Sequence, residues 1–112
     1  MGDMTVQSQS VIDFVSHDPK TDAVVLSMVE HREWGAKGEL LPDLQAKLNT
    51  YLAFVMGGQL EQKYPDLKGK RIRFRLHSQE PPGERERQFI DIVREQDLVP
   101  RGIEWQESLI SA

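Results

Sequence analysis

No cysteine occurs among the 112 residues, which excludes disulfides, thiolate metal sites and a cysteine nucleophile. The fold must therefore be held by its core. A chain of 112 residues is long enough for one domain with a core of its own and too short for two. No apolar run approaches the ~20 residues that span a bilayer, and the opening segment MGDMTVQSQS lacks the charged start and apolar stretch of a signal peptide. A cytoplasmic location is the expectation, with no membrane partner. Surplus positive charge is lacking as well: 14 Lys and Arg against 18 Asp and Glu give a net charge of -4. That balance argues against general affinity for nucleic acid or anionic lipid, both of which depend on accumulated cations. Signatures of catalysis are missing too. No serine sits in a strand-turn-helix elbow between glycines, and Gly57-Gly58 follows a helical stretch instead of preceding one, so it cannot cradle a phosphate. There is no internal repeat, long linker or low-complexity tract.

What the chain does have is one strong amphipathic stretch, Leu40 to Val55, around which the rest is organised. Leu41, Leu44, Leu48, Leu52 and Val55 recur at steps of three and four, widened by Leu40, Tyr51 and Phe54, and so share one side of a 3.6-residue helix. Pro42 is tolerated in the first turn, and Gly57-Gly58 supplies the left-handed position that ends a helix. Ahead of it, residues 1–8 read as a flexible tail and residues 9–112 as a single α+β domain. From Gln9, alternation predicts a strand with Ile12 and Phe14 toward the core and Val11, Asp13 and Val15 on the opposite side. His17 to Asp22, with Pro19, is a hairpin loop. The return strand Ala23 to Glu30 turns Val24, Leu26 and Met28 inward and Val25, Ser27 and Val29 outward.

After a polar connector, His31 to Gly38, and the helix, Gln59 to Gly69 leads into the plainest strand of the chain. In Lys70 to Ser78, Ile72, Phe74 and Leu76 alternate with Arg71, Arg73, Arg75 and His77. Glu84 to Gln96 is a second helix with a narrower apolar stripe of Phe89, Ile92 and Val93. Ile103 to Ile110 is a last strand, expected at a sheet edge because Glu107 interrupts its apolar side. The order β-β-α-β-α-β predicts an α+β two-layer sandwich, a four-stranded mixed sheet with two helices on one face, since right-handed crossovers put both helices on the same side.

The order of hairpin, connector with His and Trp, helix carrying Lys47-Leu48-Asn49-Thr50-Tyr51-Leu52-Ala53-Phe54, Tyr64-Pro65 and basic strand resembles a family of small bacterial proteins grouped only as a domain of unknown function. The similarity spans Val11 to Val93 and is carried mainly by KLNTYLAF. It implies a bacterial, cytoplasmic, single-domain protein and carries over no catalytic residue.

Five groups of candidate residues remain. His31 and Glu33 form an H-x-E pattern, but the zinc deaminases that use it also need a cysteine pair. No two histidines have helical i, i+4 spacing, so no metal and no cofactor is expected. Asp13, Asp18, Asp22, Glu30 and Glu33 gather acids at the hairpin ends, where carboxylates more often meet water or arginine than act as acid and base. A ligand pocket formed by His31, Glu33, Trp34 and His77 is one alternative, with a weak hydrolase as its catalytic version. Arg71, Arg73 and Arg75 are candidates for a partner surface. RNA-binding sheets need aromatics beside the cations, and Phe74 lies on the other face. The arginines are therefore expected to pair with acids such as Asp13 and Glu104, with an acidic protein partner as the next choice and single-stranded nucleic acid after it. Val11, Val15, Val25 and Val29 face away from the helices and are expected to form a homodimer interface. The leading functional expectation is a non-enzymatic protein-interaction or regulatory module.

Overall fold

The computed structural model describes residues 14–35 and 37–110. Four strands, β1 (Phe14–Asp18), β2 (Ala23–Glu30), β3 (Arg71–Ser78) and β4 (Ile103–Leu109), form one sheet in the order β1-β2-β3-β4. β1 is antiparallel to β2, while β2, β3 and β4 are mutually parallel. The parallel pairs require crossovers. These carry α1 (Leu41–Met56), the short α2 (Gln59–Lys63) and α3 (Glu84–Val93), which pack on one side of the sheet. The mixed two-layer α+β sandwich expected from the sequence is the observed fold.

Register partners share a face. Val15, Leu26, Phe74 and Trp105 form one row beneath the helices, and Val24, Ile72 and Ile103 fall in a neighbouring row on the same side. Val24, Leu26, Met28, Phe74 and Leu76 are buried against Leu44, Leu48 and Tyr51 of α1 and Ile90 and Leu98 beyond it. Tyr51 locks α1 to the sheet. Its hydroxyl donates to the Ser27 carbonyl at 2.5 Å, and its ring meets Phe74 edge-on at 5.7 Å.

Several boundaries and phases differ from expectation. α1 buries Leu44, Lys47, Leu48 and Tyr51, leaving Leu52, Phe54 and Val55 at the margin. The buried stripe is thus rotated toward Lys47, whose ammonium lies 5.6 Å from the Tyr51 ring centre. On α3 the inward residues are Glu86, Ile90 and Val93, whereas Ile92, expected in the stripe, is exposed. A turn of π-helix, Arg94–Leu98, extends α3 and returns Leu98 to the core. The stretch after Gly58, which adopts the expected left-handed backbone (φ +83°), is helical and not merely a connector. β4 lies at the edge as expected, and Glu107 faces the helices because Arg87 of α3 and the Trp105 indole both donate to it at 2.8 Å.

The most consequential difference is in β1. Phe14 pairs with Ser27 and points away from the helices, half exposed, while Val15 pairs with Leu26 and joins the core. A one-residue change of phase exchanges every side chain in a strand between faces. Ile12 and Asp13, used to set that phase, lie outside the described residues.

Candidate functional site

With the helices on one side, the other face of the sheet is uncovered among the described residues, and it divides into two halves. Asp18, Ala23 and Arg71 stand in a row at one end, and three further rows cross the face, read from β1 to β4. Ser16, Val25, Arg73 and Glu104 form the first, and Phe14, Ser27, Arg75 and Gln106 the second. The third contains Val29, His77 and Ser108. Adjacent strands are roughly 4.8 Å apart and alternate residues roughly 7 Å apart along a strand. Each row is therefore within side-chain reach of the next.

The first half is a closed charge network. Arg73, with its side chain only 13% exposed, donates to Glu104 at 3.0 Å and to Asp18 at 3.2 Å, and a third bond reaches the Thr21 hydroxyl. Arg71 lies 3.6 Å from Glu104 and donates to the Thr21 carbonyl. Lys70 and His17 both bond Asp22, the one non-glycine residue with a left-handed backbone among the described residues. Bonds from Thr21, the Lys20 amide and Arg73 hold Asp18 below its ordinary pKa. Those from Lys70 and His17 do the same for Asp22. Arg71 and Arg73 thus spend their charge internally, Glu104 serving as expected and Asp18 taking the role assigned to Asp13, which is outside the described residues.

The second half is a trough of about 520 Å³, lined by Phe14, Val15, Ser16, Ser27, Val29, His77, Ser108, Leu109 and Ile110. β2 and β3 supply its floor and the edge strands its walls. This volume is within the range of small-molecule sites, ~300–1,000 Å³, and a mostly apolar lining with a few polar groups is their usual composition. His77 is fixed by Ser108, whose hydroxyl is 2.7 Å from Nδ1. Burial, then the nearby Arg75 charge, pushes the His77 pKa below 6.5, so the ring is neutral at neutral pH. Arg75 does not itself line the trough but stands beside it, in the row of Phe14 and Ser27, and donates twice to the Gln106 side-chain oxygen at 3.0 and 2.9 Å.

The residues singled out from sequence are dispersed by this geometry. Trp34 is 2% exposed, its indole donating to the Glu80 carbonyl at 3.0 Å, so it pins the connector instead of offering a ring to a ligand. His31 and Glu33 are exposed, and none of His31, Glu33 and Trp34 lines the trough to which His77 belongs. Glu30, fully buried, receives two side-chain bonds and one amide bond from Arg32. No group of three or more His, Asp or Glu side chains able to hold a metal occurs among the described residues. Of the four valines, Val11 lies outside the described residues and Val15 is on the helix side. Val25 shares the uncovered face but is 1% exposed between Ser16 and Arg73, while Val29 and, from the edge strand β1, Val15 line the trough. Phe14, Ser108 and Ile110 were not singled out. The outward phase of Phe14 hides the first, and the other two carry no motif.

Comparison with known proteins adds a family and nothing more specific. Residues 4–109 match one protein family, and no curated protein and no solved structure matches the chain.

Proposed function

The chain belongs to that family, a family of unknown function (DUF6572), and from this premise we propose that it is a non-enzymatic binding module that takes a small, largely apolar ligand in the trough on the uncovered sheet face. The observation that carries the reading is the trough itself: about 520 Å³, with Val29, Phe14 and Ile110 for apolar contact and His77 and Ser108 for orientation. A regulatory role, a bacterial origin and a cytoplasmic setting, which the sequence and the resemblance suggest, belong to the same proposal. Binding is favoured over hydrolysis because Ser108 meets His77 through Nδ1 while, among the described residues, no carboxylate orients the other ring nitrogen. A working nucleophile pair needs that third group.

The test is a ¹H-¹⁵N titration with 1-octanol. The amides of Ser27, Val29, His77 and Ser108 should shift together and saturably, and Val29→Lys should suppress the response. Shifts clustered elsewhere, or none, would overturn the reading.

A second reading, self-association through the same face, draws on Phe14, a large apolar side chain at the β1 rim of the trough that is 49% exposed. Light scattering separates the two. A particle of twice the 12.9 kDa chain mass that dissociates on Phe14→Lys would favour the homodimer, whereas a monomer that binds the alcohol favours the ligand.

A further inference from the structure

The charges that the described residues place on the uncovered face do not balance. Among the described residues, Arg71, Arg73 and Arg75 share it with two carboxylates, Asp18 and Glu104, and both carboxylates are engaged by Arg73, with Arg71 also on Glu104. Two successive cross-strand pairs make the contrast plain. Arg73 stands opposite Glu104 and bonds its carboxylate, while Arg75, two residues on, stands opposite Gln106 and bonds a neutral amide oxygen. A guanidinium has five donors and a fixed charge. The Gln106 oxygen satisfies two of those donors and none of the charge. That surplus cation belongs to the row of Phe14 and Ser27, both of which line the trough, and it stands two residues before His77 on the same strand.

We infer that the trough is selective for an organic anion, a monocarboxylate with an apolar tail such as a medium-chain fatty acid, whose head meets Arg75 and whose tail lies along Val29, Phe14 and Ile110. The inference rests on the binding reading above and adds to it the sign of the ligand's charge. One surplus guanidinium beside an apolar hollow complements one carboxylate on an apolar body. A nucleic-acid backbone, which needs several unspent cations in line, finds them absent here because Arg71 and Arg73 are already paired. Charge-assisted bonds from arginine to carboxylate are also shorter and stronger than bonds between neutral groups.

The experiment compares three probes with one tail, octanoate, 1-octanol and octylammonium, each kept below its micelle-forming concentration and followed through the trough amides. Octanoate should bind about tenfold more tightly than the alcohol, as one charge-assisted hydrogen bond implies, and octylammonium should bind most weakly. Arg75→Gln should erase that order. Gln106→Glu provides a second test that keeps the arginine, because it recreates the Arg73–Glu104 pairing one step along the same strands and neutralises Arg75 from within. The preference should then fall to within about twofold while octanol binding persists. Equal affinity for octanoate and octanol in the wild type, or a preference that survives in Gln106→Glu, would overturn the anion inference and leave the trough reading standing. Failure of all three probes to perturb the trough would remove both.

Discussion

At the scale of single residues, the fold is conspicuous for how many of its charges are spent inside it. Glu107 shows how the competition is decided. Burial alone would raise its pKa, but the bonds from Arg87 and the Trp105 indole outweigh burial and hold it below its ordinary value of 4.5. A depressed carboxylate contributes stability that is complete above its unfolded pKa and is lost as pH falls through the folded one. Glu107→Gln should therefore cost about 1–2 kcal/mol at pH 7 and leave a variant whose urea midpoint declines less between pH 5 and pH 3. His77 works in the same direction at higher pH. Its folded pKa lies below 6.5, for burial first and Arg75 second, so the unfolded chain takes up the proton more readily. Stability should fall as pH drops from about 6.5 toward the lowered value, and His77→Gln should remove that component. A wild type and variant with parallel stability curves between pH 7 and pH 5.5 would contradict the assignment. Sequence conveyed little of this. The alternation placed His77 and the arginines on one face correctly, but which arginine meets a carboxylate depends on cross-strand register, and register depends on the whole sheet.

At the scale of elements, the helices separate what periodicity can and cannot reveal. The i, i+4 step from Leu44 to Leu48 was plain and both residues are buried. The stripe then continues through Lys47 and Tyr51 instead of Leu52, because a lysine can be buried along its stem and against an aromatic ring, which hydropathy does not register. On α3 the same thing happens with Glu86. The true stripe, Glu86-Ile90-Val93, is hidden by its first member, so Phe89 and Ile92 looked equally good. A consequence follows for stability. Leu48→Ala should cost ~2–5 kcal/mol, as for fully buried leucines, Leu52→Ala distinctly less, and Gln45→Ala next to nothing. Equal losses at Leu48 and Leu52 in urea melts would mean the helix is rotated from the position described. In β1 the misreading had a different origin. Phe14 is the larger apolar group, and size argues for the core, yet the strand has only Val15 and the alternate positions to bury, and pairing with Leu26 decides the phase.

At the scale of the whole molecule, the two-layer arrangement follows from strand and helix order, and the order was readable because each element carries its own period and breaker. The site was not readable to the same degree. A second sheet face uncovered among the described residues could be inferred by counting layers, since both predicted helices fall on one side, but its division into a neutralised half and a hollow half depends on the phase of β1 and on Gln106 standing where a glutamate would have closed the network. Those are properties of the assembled sheet. The central claim is that this hollow is where the protein binds, and the most direct measurement is of intermolecular NOEs between protonated octanoate and the methyl groups of the otherwise deuterated protein. The account predicts contacts from the fatty-acid tail to Val29 and Ile110 and none to Ile92 or Val99, which are exposed elsewhere on the surface. Contacts to Ile92 or Val99, with Val29 and Ile110 silent, would contradict it.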